Sequence, residues 1–110
     1  MKIDEEHRAD FAKRAGHYGV PEHDVDGLFL YVFHGIMPGS FLEAVLSNDL
    51  MESFGRADHI NKEKIFNICQ FIYNEIPSDC WGSPEKMQAW MDARQVAVSQ
   101  PAEPPGGTDA

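Results

Sequence analysis

The sequence is short of almost everything that announces a chemistry. It has two cysteines, Cys69 and Cys80, and they form no Cys-x-x-Cys pair. That excludes a disulfide framework and fits a reducing compartment. The longest apolar run, Leu28–Phe33, is six residues, against the roughly 20 that a membrane span requires. The Met1–His7 stretch is too charged to read as a secretory leader. Basic residues are scarce as well: 9 Lys and Arg face 18 Asp and Glu, for a net charge of -9. Phosphate backbones and anionic lipid repel such a chain, so neither direct nucleic-acid contact nor a membrane is expected. An acidic chain could instead mimic nucleic acid in a partner's basic groove. Only Asp4-Glu5-Glu6 forms an acidic run, however, and the dispersed remainder reads as solvated surface.

What is present is punctuation. Apolar residues make up 43% of the chain and aromatics 11%, enough for one ordinary core. A first helix is predicted from Asp4 to about His17, thin in apolar residues, pinned by Phe11 and ended by Gly16 and Gly19. Pro21 to Gly35 contains the strand-favouring run Leu28–Phe33, yet no second such run exists to pair with it. A buried helix between Pro21 and the Gly35 stop is therefore predicted. Pro38-Gly39-Ser40 then precede Phe41 and Glu43 in the pattern of a capping box, with Ser40 and Glu43 exchanging hydrogen bonds. From there Leu42, Val45, Leu46, Leu50 and Phe54 recur at helical spacing. They predict one core helix from Phe41 to about Phe54, stopped by Gly55, with Arg56–Ile60 as a loop. Asn61 is the expected cap of the next helix, whose inner face is Ile65, Ile68, Cys69, Ile72 and Ile76, widened by Phe66 and Tyr73. Pro77 forbids its continuation. Ser83 and Pro84 open a last helix carrying Met87, Trp90 and Met91 on one side and fading near Val96. The expected architecture is all-α: a compact bundle of about four to five short helices as a single domain over residues 1–97. Residues 98–110, rich in proline and glycine, are expected to be a disordered tail.

Candidate chemistry is sparse. His17, His23 and His34 lie near Asp24 and Asp26 in sequence, but no two histidines have the spacing of a helical metal site, so no metal and no cofactor are expected. Cys80 precedes a helix start, where a thiol's pKa falls. No histidine lies near it to serve as a base, and a small buried hydrophobe beside Trp81 is the plainer reading. Phosphate-cradling glycine loops and nucleophile elbows are absent from the sequence. On the helix after Asn61, Glu63, Asn67, Gln70 and Asn74 form a polar stripe, and neutral amides both donate and accept hydrogen bonds. Asn48 and Asp49 are poor helix formers placed in mid-helix. Trp81, Trp90, Met87 and Met91 read as core, with an interface as the competing use.

The stretch from His34 to Leu50 (His34-Gly35-Ile36-Met37-Pro38-Gly39-Ser40-Phe41-Leu42-Glu43-Ala44-Val45-Leu46-Ser47-Asn48-Asp49-Leu50) resembles a core shared by small bacteriophage and prophage proteins. Arg56-Ala57-Asp58, Tyr73-Asn74-Glu75-Ile76-Pro77 and Cys80-Trp81-Gly82-Ser83-Pro84-Glu85 look like the same family, and the likeness runs from about Gly27 to Met91. No established activity attaches to that family. The resemblance implies an accessory phage product acting in the cytoplasm of a bacterial host, of the kind that redirects a host enzyme or blunts a host defence.

These observations lead to a non-enzymatic protein that binds a host protein of defence or nucleic-acid metabolism. The expected working surface is His34, Asn48, Asp49, Asn67, Gln70 and Asn74, with Arg56. The alternative is a small-ligand or nucleotide-sequestering protein using those amides at an inter-helix or dimer groove. A hydrolytic or transfer enzyme would need His34, Asp49 or Cys80 to meet an ionisable partner within hydrogen-bond reach. Pairing into a homodimer is expected for so small a chain with many large apolar residues.

Overall fold

Two of the glycines that punctuate the sequence end helices in the left-handed conformation. The structure, a computed structural model, describes residues 2–99 and the side chains of residues 5–95. Helix α1 (Lys2–Tyr18) ends at Gly19, φ 83, and helix α2 (Glu22–His34) ends at Gly35, φ 69. At the first end the Val20 amide reaches back five residues to the Ala15 carbonyl and the Gly19 amide to that of Gly16; at the second the Gly35 amide reaches Tyr31 and the Ile36 amide reaches back six residues to Leu30. The first is the Schellman closure and the second the simpler left-handed closure; both need a left-handed residue and therefore favour glycine. Helix α1 continues through Gly16, which was expected to help end it.

The Leu28–Phe33 segment is helical, as its lack of a pairing strand required, and no strand occurs among the described residues. Helix α2 is the spine: Val25, Leu28, Phe29, Tyr31 and Val32 are all buried. Helix α1 packs on it through Phe11, whose ring meets Phe29, Phe33 and Phe71 edge-on at 5.3–6.0 Å. Such pairings add to simple burial.

The predicted helix from Phe41 to Phe54 is two helices. Helix α3 (Ser40–Leu46) and helix α4 (Leu50–Arg56) fold back on each other as a hairpin. Asn48 has φ 69, the amide of Asp49 reaches back to the Ala44 carbonyl at 2.9 Å, and that of Asn48 to Val45 at 3.1 Å. This is the Schellman closure again, with asparagine in the place of glycine. Asp49 then caps α4, its carboxylate accepting the Glu52 amide at 3.1 Å. Leu50 and Phe54, expected in the core, are consequently exposed, and Gly55 lies inside α4. Ser40 is no cap: Gly39 holds that position, and its carbonyl accepts the Glu43 amide at 2.9 Å. The chain enters α3 one residue earlier than the capping pattern implied.

Helix α5 (His59–Glu75) is capped by Asp58, whose carboxylate accepts the Asn61 amide at 2.7 Å. Asn61, the expected cap, lies within the helix and is buried. The helix is rotated from the predicted face: Phe71 is inside with Ile65, Ile68 and Ile72, and Cys69 is outside. Pro77 ends it. After a short 3₁₀ turn (Ser78–Cys80), helix α6 (Pro84–Ser99) begins where Ser83 accepts the Lys86 amide at 3.1 Å. Met87 and Met91 are buried and Trp90 half-buried, as expected. The tail assignment beyond Ser99 lies outside the described residues.

Helix α6 is stitched to α2 by two hydrogen bonds, from the Trp90 indole to the Val32 carbonyl at 3.1 Å and from Gln95 to the Gly35 carbonyl at 2.7 Å. At that crossing a β-carbon on Gly35 would stand 2.6 Å from the Arg94 β-carbon and 2.9 Å from the Met91 carbonyl. Gly35→Ala should therefore cost about 2–4 kcal/mol, combining left-handed strain with displacement of α6, readable as a fall in urea midpoint. Asn48→Ala should cost about 1 kcal/mol, because alanine resists the left-handed conformation. Were residues 41–54 one helix, the same change would stabilise through higher helix propensity, so the sign alone tests the break.

Candidate functional site

The seven polar residues proposed from sequence do not gather into one site. Asn67 donates from its amide to the Tyr18 carbonyl at 2.9 Å, closing the end of α1, and a β-carbon on Gly19 would come within 2.8 Å of that amide. It is a structural tie between α1 and α5. Arg56 links both halves of the hairpin. It donates to the Ser40 carbonyl at 3.0 Å and to Glu52 at 3.0 Å, and it lies 3.7 Å from Glu43. His34 closes α2, its ring edge-on to Phe29 at 5.9 Å. Asp49 is the α4 cap.

Of the remaining three, Asn48 borders α5 across a cleft, and Gln70 and Asn74 lie on α5. Asn48 lines an open cleft of about 170 Å3 with Val45, Cys69, Ile72, Tyr73 and Trp81. Gln70 and Asn74 flank Tyr73 on α5, and the Asn74 amide donates to the Gln70 carbonyl at 2.9 Å. Tyr73, at the cleft, is one of several exposed apolar side chains, of which Leu50, Phe54, Phe66 and Tyr73 itself were expected in the interior. Met51 is 79% exposed, Phe66 72%, Tyr73 71% and Leu50 62%. Leu50 and Met51 follow directly on the Asn48–Asp49 corner. Phe66, Cys69 and Tyr73 share the outer side of α5 at helical spacing. In α4 only Ser53 is buried, tied by its hydroxyl to the Asp49 carbonyl at 2.7 Å. Carboxylates Glu43, Asp49, Glu52 and Asp58 surround this hairpin, against Arg56 as the one Lys or Arg between Ser40 and Asp58.

A buried polar junction was missed as well. Asp24, on α2, and Asn61, on α5, are 5% and 4% exposed, and Asp24 Oδ2 and Asn61 Oδ1 have no hydrogen-bond partner among the described residues. His23 Nε2 stands 3.8 Å from Asp24 Oδ1 and 3.3 Å from Asp58 Oδ2. Spacing carried the signal: Asp24 falls on the stripe of Leu28 and Tyr31, and Asn61 on that of Ile65, Ile68 and Ile72. Among the described residues no group of three or more His, Cys, Asp or Glu could hold a metal ion. Cys80 is fully buried, and burial pushes its thiol up to about 12, so it stays protonated at neutral pH.

Burial also raises the Asp24 carboxyl above its ordinary value of 3.8, with His23 and the Asn61 side chain opposing the shift. The folded chain thus holds that proton at a pH where the unfolded chain has released it. The Asp24 contribution is complete below the unfolded value and is lost as pH rises through the folded one. Asp24→Asn cannot charge. Its stability relative to the unsubstituted chain should therefore rise between acidic and neutral pH and converge below 3.8, as urea denaturation followed by circular dichroism will show.

Among the described residues no helix is long and apolar enough to cross a membrane. No family model, curated protein or solved structure matches the chain.

Proposed function

We propose that this chain is a non-enzymatic binding protein that docks onto another protein through the outer faces of α4 and α5. The observation that carries this is α4 itself, a helix that buries only a serine while Leu50, Met51 and Phe54 face water. Exposed apolar clusters rimmed by polar groups are characteristic of interaction sites. Each such side chain contributes about 1.5–3 kcal/mol when fully removed from water. Phe66 and Tyr73 extend the surface with aromatic anchors of the kind that dominate binding energy.

Charge defines the partner. The carboxylates around the hairpin call for an apolar groove with a basic rim, and the net charge of -9 steers the approach. The likeness to phage proteins supplies the setting: an accessory product that occupies a protein in the cytoplasm of a bacterial host.

The test is capture from bacterial lysate with the unsubstituted chain beside a Leu50→Glu/Met51→Glu variant. Both positions are exposed and lie in the first turn of α4, where acids suit the helix dipole, so stability should change by no more than about 0.5 kcal/mol. The captured protein should be lost from the variant, and added salt should weaken its capture by the unsubstituted chain. Equal capture by both chains would overturn the assignment.

A further inference from the structure

Three of the four arginines pair with carboxylates: Arg8 with Asp26, Arg14 with Asp10 and Glu75, and Arg56 with Glu43 and Glu52. Arg94 has no carboxylate partner among the described residues. Its guanidinium lies over the Trp90 ring instead, 4.3 Å from the ring centre. In a chain with twice as many acids as bases, an arginine without a carboxylate is unusual, and this one lines a cavity.

The cavity is a groove of about 340 Å3 whose walls are α1 and α6 and whose floor is α2, closed at one end by the last residues of α5. That volume lies within the range of small-molecule sites. Two carboxylates line the groove, and both are engaged. Glu75 accepts from Arg14 at 3.1 Å and from the Tyr18 hydroxyl at 2.9 Å, and Asp10 accepts from Arg14 at 2.9 Å. Arg94 forms no ion pair with either of them. The opposite wall repeats the motif of a polar group laid on a ring, for His7 stacks on Phe33 at 5.4 Å and 30°.

We propose that this groove binds a small planar organic anion, a flat ring bearing one carboxylate or phosphate. Arg94 takes the anionic group, and Phe33, Trp90 and His7 provide the surfaces for the ring. The guanidinium fork matches both oxyanions, and stacking on Trp90 holds it in place before the ligand arrives. The apolar floor strengthens the charge attraction by excluding water. The groove shares no residue with the α4–α5 face, so either assignment stands or fails alone.

The test is titration of the full 15N-labelled chain with guanosine 5′-monophosphate, 4-hydroxybenzoate and inorganic phosphate. The reporter is the Trp90 indole N–H, which donates to the Val32 carbonyl. At least one ring-bearing probe should shift that signal and bind at least tenfold tighter than inorganic phosphate, and the tighter of the two identifies the preferred oxyanion. Arg94→Gln should weaken binding at least tenfold. Arg94→Lys, which keeps the charge and guards against a folding artefact, should fall between. Lys13→Gln, an equal charge change on exposed surface outside the groove, should leave binding within twofold. The proposal is overturned if no ring-bearing probe moves the Trp90 signal at millimolar concentration. It is also overturned if inorganic phosphate binds as tightly as the ring-bearing probes, or if Arg94→Gln and Lys13→Gln behave alike.

Discussion

The fold depends on one hydrogen bond in its interior. Tyr31 is fully buried in the middle of α2, and its hydroxyl donates to the Cys80 carbonyl at 2.6 Å. A buried phenol without a partner costs about 1–3 kcal/mol, so the 3₁₀ turn must sit where that carbonyl meets α2. Its position fixes its neighbours. The Trp81 indole donates to the Ile76 carbonyl at 3.2 Å, and the Gly82 amide to the Leu46 carbonyl at 2.8 Å. One turn thereby fastens the ends of α3 and α5 to the spine. Burial, and after it the charge interaction with Cys80, raises the cost of ionising Tyr31 far above that of an ordinary phenol.

Local chemistry decided how much was legible in the sequence. Gly19, Gly35, Pro77 and the Ser83–Pro84 pair each act through their own backbone or side-chain geometry, and each marks the boundary it was expected to mark or help mark. The break between α3 and α4 uses the same closure as Gly19, but with Asn48. The helical spacing of Leu42, Val45, Leu46, Leu50 and Phe54 outweighed that asparagine, although Asp49 with Glu52 three residues later was a legible helix start. Periodicity records which residues share a side of a helix. It does not record whether a neighbour covers that side, and among the described residues none covers the Leu50 and Phe54 side of α4.

The candidate site was legible only as residue types. Polar residues at helical spacing were read as working groups, yet Asn67 and Arg56 are held by backbone carbonyls of other elements. Those partners lie 49 and 16 residues away, a separation no local pattern contains. The more informative departures from expectation are apolar. Phe66 and Tyr73 widen no inner face, and they lie outside because α5 turns Phe71 inward to meet Phe11.

The three-residue corner Ser47–Asp49 governs more than direction. An α-helix advances about 100° per residue, so the side α4 presents is set by how many residues span that corner. Loss or gain of one residue there would spin α4 about its axis by that angle and carry Met51 round with it. Variation in the hairpin is thus channelled toward substitution at constant length, and chain length between Leu46 and Leu50 becomes a hereditary marker of the surface the molecule offers.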